Sequence, residues 1–302
     1  MEIKKWTYEE YPEFGMEGIE VISSTGDEVA VRYINDVEYC NIDGTALHLQ
    51  IMIPASRNNP MGTYPCFVYV QGSGWKKQDI HAGVPLVSKM AERGYVCAIV
   101  EYRHSGIAAF PACVIDARNA VRFLRKNAEK YQIDPDRMIL AGSSSGGHTA
   151  VFGGMRHNDG TEENLFPGVS AEVSGIVDYY GAVSVMREDA NPTTLNHLMA
   201  DSPEGMEAGH INLREHPDIR KAMSAECNID HDTRIPPVLI FHGTKDRTVN
   251  PAQSGDLYAK LKNTGHEAYF YLIKGADHGR AEFWTPAVID KADAFMKKCF
   301  GE

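Results

Sequence analysis

Met138-Ile139-Leu140-Ala141-Gly142-Ser143-Ser144-Ser145-Gly146-Gly147-His148 is the stretch on which the fold turns. Its apolar opening reads as a buried strand, Gly-x-Ser-x-Gly follows without a gap, and Gly147 to Phe152 continue as a helix. A serine on so sharp a strand-to-helix turn is held in a strained backbone conformation, and side chains two places before and after it would collide with the neighbouring strand and helix. Glycine at both places removes the clash. Of three consecutive serines only Ser144 has glycine on both sides at that spacing, Gly142 and Gly146, so Ser144 is the candidate nucleophile. A Gly/Ser-rich turn with no chemistry has the same local pattern, and the flanking chain must decide.

Upstream, residues 112–131 carry Cys113, Ala117, Ala120, Val121, Leu124 and Ala128 at helical spacings, and Ile133-Asp134-Pro135-Asp136 ends that helix and leads into the elbow strand. Cys66 to Val70 is a strand that runs straight into Gln71-Gly72-Ser73-Gly74-Trp75; residues 84–93 read as a helix and Tyr95 to Val100 as a strand. Val37 to Tyr39 and Ala46 to Ile53 flank Asn41-Ile42-Asp43-Gly44 as a hairpin. Downstream come strands at 175–180, 238–241 and 268–273, with helices at 251–262 and 284–299. Strand and helix alternate from residue 66 onward, which predicts an α/β fold with a mostly parallel central sheet and helices on both faces. Residues 1–32 read as an N-terminal extension packed on a main domain of 33–302. Residues of about 184–235 break the rhythm: this polar segment, with short helical patterns near 193–200 and 217–225, is too long for an ordinary connection and is expected to form a small cap or lid over the site.

The chain has 302 residues, 43% of them apolar and 24% charged, which suits one large domain with an insertion. A net charge of −11 argues against nucleic acid or an anionic membrane surface as partner and favours a neutral substrate. The first residues lack an apolar signal region and no stretch approaches a transmembrane span, so a cytoplasmic location is expected. The oligomeric state stays open, a homodimer being one expectation. The six cysteines are scattered, with Cys66 and Cys97 inside strands, and read as buried free thiols. His104, His148 and His242 lack ligand spacing, and no phosphate-binding glycine loop occurs; neither a metal nor a cofactor is expected.

A serine hydroxyl needs a base to take its proton and a third group to orient that base. His242-Gly243-Thr244-Lys245-Asp246 follows one strand and Gly275-Ala276-Asp277-His278-Gly279 follows the last, which places Asp246 and His278 at carboxyl ends of parallel strands. The order Ser144, Asp246, His278 is the one that α/β hydrolases require. Asp277 rivals Asp246 for the acid role, but a sequence neighbour seldom reaches the imidazole Nδ1 from a turn. Donors for the developing oxyanion are expected from the backbone N–H groups of Ser73, Gly74 and Ser145.

These motifs, with Glu101-Tyr102-Arg103, Phe110-Pro111-Ala112, Asp116, Asp134-Pro135-Asp136-Arg137 and Ala222-Met223-Ser224, resemble the α/β-hydrolase superfamily from about residue 37 to the C-terminus. Within it they are similar to the esterase/lipase group with a His-Gly-Gly-Gly oxyanion loop, which includes hormone-sensitive-lipase-like esterases and acetyl and feruloyl carbohydrate esterases. Gln71 stands for the usual histidine and Ser73 for the middle glycine. The resemblance implies a serine esterase acting on short-chain or aromatic acyl esters, plausibly of a sugar, with a small-molecule or oligosaccharide ester as substrate. A prolyl-oligopeptidase-like peptidase or an arylformamidase is the alternative. Trp75 and Trp284 either offer flat faces to a sugar or cinnamoyl ring or pack beneath the loops.

Overall fold

The computed structural model describes residues 17–56, 62–155, 164–187 and 196–302. Eight strands form one sheet in the order β1-β2-β4-β3-β5-β6-β7-β8. The hairpin of β1 (Val29–Ile42) and β2 (Thr45–Ser56) pairs antiparallel, as does β2 with β4 (Val96–Val100). β3 (Tyr64–Val70), β5 (Ile133–Ser143), β6 (Gly175–Tyr179), β7 (Val238–Gly243) and β8 (Ala268–Ile273) are parallel with their neighbours.

The two-residue period of the central strands divides the core. Cys66, Val68 and Val70 of β3, with Met138 and Leu140 of β5, face α2 (Ala112–Lys126), α3 (Ser145–Gly154) and α6 (Ala252–Asn263). Phe67, Tyr69, Ile139 and Ala141 face the opposite layer of α1 (Val84–Ala91) and α7 (Pro286–Cys299). Cys66 to Val70 and Met138 to Ala141, buried on both faces, are therefore apolar at every position, which is why they read as unbroken runs in sequence. The expected α/β-hydrolase architecture is the observed one.

Three boundaries differ from expectation. β1 begins at Val29, four residues inside the expected extension, because Val29 to Ile34 pair with Ser56 to Ile51. Residues 17–24 lie exposed rather than packed on the domain, and residues 1–16 fall outside the described residues. α2 stops at Lys126, not 131: Asn127 leaves the helical conformation (φ −105°, ψ 25°), and its side-chain amide, at 2.8 Å, joins its own N–H on the Phe123 carbonyl.

In the insertion, α4 (Pro203–Glu207), α5 (Pro217–Ala222) and a short turn of 3₁₀ helix at Ala225–Cys227 are formed. The helical pattern expected near 193–200 is not met where it can be seen: residues 196–200 are turn, and 193–195 lie outside the described residues. α4 starts instead at Pro203, where the Ser202 side chain caps the Gly205 N–H at 3.0 Å. Val185, Leu198, Leu213 and Met223 make a small apolar cluster of their own, with Phe110 packed against it. The segment thus covers the carboxyl edge of the sheet above β3, β5 and β7.

Candidate active site

Ser144 sits between the end of β5 and α3 with φ 54° and ψ −124°, a strained conformation for a residue with a side chain. The flanking glycines are demanded by contact. A Cβ on Gly142 would lie 2.0 Å from the Gly146 carbonyl oxygen, and one on Gly146 would lie 2.0 Å from that of Val70. Tertiary bonds hold the turn: the Ser144 N–H donates to the Tyr179 carbonyl at 2.9 Å, and the Ser144 carbonyl accepts the Ala182 N–H at 3.2 Å.

The three candidate residues meet. His278 Nε2 is 2.9 Å from Ser144 Oγ, and His278 Nδ1 is 2.7 Å from Asp246 Oδ2. A carboxylate only accepts, so Nδ1 carries the proton of the neutral ring and Nε2 is left to accept from Ser144. Asp246 Oδ1 takes the N–H groups of Thr248 and Val249 at 2.9 and 2.8 Å. Burial opposes its charge, but hydrogen bonds from His242, His278 and the Val249 backbone prevail and hold the carboxyl far below the ordinary carboxylate range.

His242 opens the His242-Gly243-Thr244-Lys245-Asp246 motif, but only its tertiary contacts give it a role. Its Nε2 lies 3.1 Å from both Asp246 Oδ2 and the Val249 carbonyl, two acceptors that require a proton on that nitrogen, and Nδ1 is 2.7 Å from Ser254 Oγ. It therefore fixes the acid from behind. Asp277 is no acid of the relay: it takes the Arg247 guanidinium at 2.6 Å and the His278 N–H at 2.9 Å, bracing the loops after β7 and β8. The ring of Tyr180 meets that of His278 edge-on at 4.8 Å.

The oxyanion donors divide unequally. Among the described residues no acceptor takes the N–H of Gly74 or of Ser145, the first residue of α3, where the helix dipole adds to the attraction for an anion. The Ser73 N–H, by contrast, donates to Ser145 Oγ at 2.9 Å. This departs from the expectation that all three point freely into the site, and the cause is the hydroxyl at position 145. Gln71 keeps the loop in place by donating its amide to the Asp79 carbonyl at 2.7 Å.

Trp75 and Trp284 are not open platforms, for they are only 1% and 2% exposed. Trp75 packs edge-on against His148, and Trp284 stacks on Tyr179. His148 itself is buried, its Nε2 3.0 Å from the Met223 carbonyl, and burial pulls its proton affinity down to about 4, so it stays neutral. Among the described residues no group of three or more His, Cys, Asp or Glu could hold a metal ion. No helix of the described residues is long and apolar enough to cross a membrane.

The cavity over Ser144 has a volume of about 320 Å³. Oxyanion loop, elbow, Tyr180 and His278 form its floor, and His197, Pro203 and Glu204 of the insertion form its roof. The insertion thus lies over the site, as a cap would.

A family model described as BD-FAE matches residues 49–261, the span from β2 through most of α6. The chain belongs to the BD-FAE family. Among related proteins, Esterase LipQ of Mycobacterium tuberculosis is 27% identical over 223 residues, 71% of this chain and 50% of that protein. Isoprenylcysteine alpha-carbonyl methylesterase ICME of Arabidopsis thaliana is 25% identical over 241 residues, covering 76% and 53%. This BD-FAE chain spans about half the length of the curated relatives it matches. A propionate-bound structure of a thermophilic esterase of Thermogutta terrifontis superposes with a TM-score of 0.69 at 25% identity, covering 91% of this chain and 94% of that one. A truncated carbohydrate esterase from gut microbiota shares the fold with a TM-score of 0.76 at 24% identity, covering 92% and 99%.

Proposed function

We propose that the protein is a serine carboxylic ester hydrolase that works through an acyl-enzyme on short-chain or aromatic acyl esters of polar alcohols, with sugars the favoured class. The observation that carries this reading is the relay from Ser144 through His278 to Asp246, with contacts of 2.9 and 2.7 Å, opening into a capped cavity of about 320 Å³. Ser144 Oγ attacks the ester carbonyl carbon while His278 Nε2 takes its proton. The oxyanion meets the N–H groups of Gly74 and Ser145. Collapse breaks the bond to the alcohol oxygen, which leaves with the proton from His278, and water repeats the steps on the acyl-enzyme. Asp246 stays ionised throughout and stabilises the imidazolium that forms.

The cavity lies at the small end of the range of about 300–1,000 Å³ usual for ligand sites, which suits a short acyl group. The Thermogutta terrifontis esterase also holds propionate and, in another structure, butyrate. A carbohydrate esterase among the structures of like fold agrees with a sugar as alcohol. Replacing Ser144→Ala should lower turnover by up to about a million-fold. The decisive measurement is a substrate panel of aryl esters from acetyl to decanoyl, methyl hydroxycinnamates, a proline aryl-amide and N-formylkynurenine. Efficiency should peak at acetyl to butyryl or at a hydroxycinnamoyl ester. A maximum on the amide, the formamide or long-chain emulsions would refute the reading.

A further inference from the structure

The roof of the cavity holds a polar pair that the proposed chemistry does not use. His197, 9% exposed, and Glu204, 3% exposed, come from either side of the turn that begins α4, and His197 Nδ1 lies 2.6 Å from Glu204 Oε1. Both line the cavity that contains Ser144. By strict hydrogen-bond geometry each side chain has one polar atom, His197 Nε2 and Glu204 Oε2, without a partner among the described residues, although the Thr248 backbone lies close enough to the imidazole to favour its proton. The Thr248 backbone and the Asp246 carboxylate face the imidazole from the β7 side. With Glu204 they outweigh the burial that opposes its charge and raise its proton affinity. Pro203, Val249, Ala182 and Thr248 also line this cavity, and of these only Thr248 carries a polar side chain.

A buried polar atom left without a partner carries its full desolvation penalty, and native proteins keep few such atoms without a reason. Here two of them, one on a ring nitrogen and one on a carboxylate, belong to a hydrogen-bonded pair that lines the cavity holding Ser144. A hydroxyl, which both donates and accepts, can pair with a ring nitrogen or with a carboxylate oxygen. We propose that His197 and Glu204 recognise free hydroxyl groups on the alcohol part of the ester, and so select partially acylated sugars or polyols over esters of unsubstituted alcohols. This rests on the esterase reading and names the group that sets its preference.

The test compares kcat/KM, which reports the acylation step while the alcohol is still attached, on methyl 2-O-acetyl-xylopyranoside and on phenyl acetate. Glu204→Gln should cost about 10- to 100-fold on the xyloside, the scale of one hydrogen bond to a charged group, and change phenyl acetate by less than about threefold. His197→Gln should do the same and supplies the comparison if Glu204→Gln fails to fold. A parallel loss on both substrates, with a lowered melting temperature, would make the pair a structural staple of the cap and overturn the proposal. Wild-type protein that hydrolyses phenyl acetate but not the xyloside overturns this inference alone. Wild-type protein that hydrolyses neither ester removes the esterase reading with it.

Discussion

In the proposed mechanism Ser145 holds the position that sets how many N–H groups would meet the oxyanion. Its hydroxyl accepts from the Ser73 N–H and lies 3.3 Å from the Tyr102 hydroxyl, which in turn is 3.2 Å from Ser73 Oγ. The loop and the elbow are thereby tied together at the expense of one donor. Removing an oxyanion donor costs about a hundred- to a thousand-fold in turnover where it has been measured, so the converse change is worth making. In Ser145→Ala the Ser73 N–H loses its acceptor and turns to the substrate oxygen. Turnover on an aryl acetate should then be retained or rise. A fall of a hundredfold, with the fold intact by circular dichroism, would mean that the Ser145 hydroxyl itself donates to the oxyanion.

At the scale of elements, the elbow works because β5, its neighbour β3 and α3 approach more closely than any side chain permits. Val70 and Gly142 are register partners across β3 and β5, and Gly146 in the first turn of α3 sits against the Val70 carbonyl. Gly146→Ala cannot be absorbed by a rotamer change, since the obstacle is backbone. It should destabilise the protein by about 1–3 kcal/mol or more and displace Ser144 from His278, abolishing most activity. The measurement is thermal unfolding together with turnover. A variant of wild-type stability and activity would show that strand and helix can part freely, contrary to the packing described. The insertion is held by a different device: the Phe110 N–H donates to the Glu207 carbonyl at 2.8 Å, and the Cys113 thiol lies 3.2 Å from Glu207 Oε1 at the start of α2.

For the molecule as a whole, buried acids set the response to pH. Asp178, on β6 beside the elbow, is fully buried, and neither carboxylate oxygen has a partner by hydrogen-bond geometry among the described residues. Burial pushes its carboxyl up to about 7 from 3.8, against the pull of the nearby Gly181 N–H, and Glu207 is likewise pushed by burial to about 8. A raised acid keeps its proton in the folded state over a range where the unfolded chain has lost it. Its stabilising contribution is therefore whole below about 4 and disappears as pH rises towards 7, a change on the order of 4 kcal/mol for Asp178 alone. Asp178→Asn removes that titration. Measured by denaturant unfolding, the stability of Asp178→Asn relative to wild type should improve steadily between pH 4 and 7. A difference that does not change over that interval would show that Asp178 ionises normally.

Much of this was written locally. The glycines around Ser144 are dictated by the turn itself, and strands buried on both faces announce themselves as apolar runs, so the order of elements, the sheet and the Ser-Asp-His spacing across three strand ends could be read from residues alone. Asp246 and His278 belong to short motifs at strand ends, where topology leaves them little freedom. Other features depend on residues far apart in the chain, whose meeting no local pattern encodes. That Asp277 turns to Arg247, that His242 stands behind Asp246, and that Trp75 and Trp284 are packed away rather than presented follows from how loops settle on one another. The Ser73 N–H looked free because its acceptor lies 72 residues further on. His197 and Glu204 lie in a segment whose short helical patterns mark no site, and only the folding of that segment brings them into the cavity that holds Ser144.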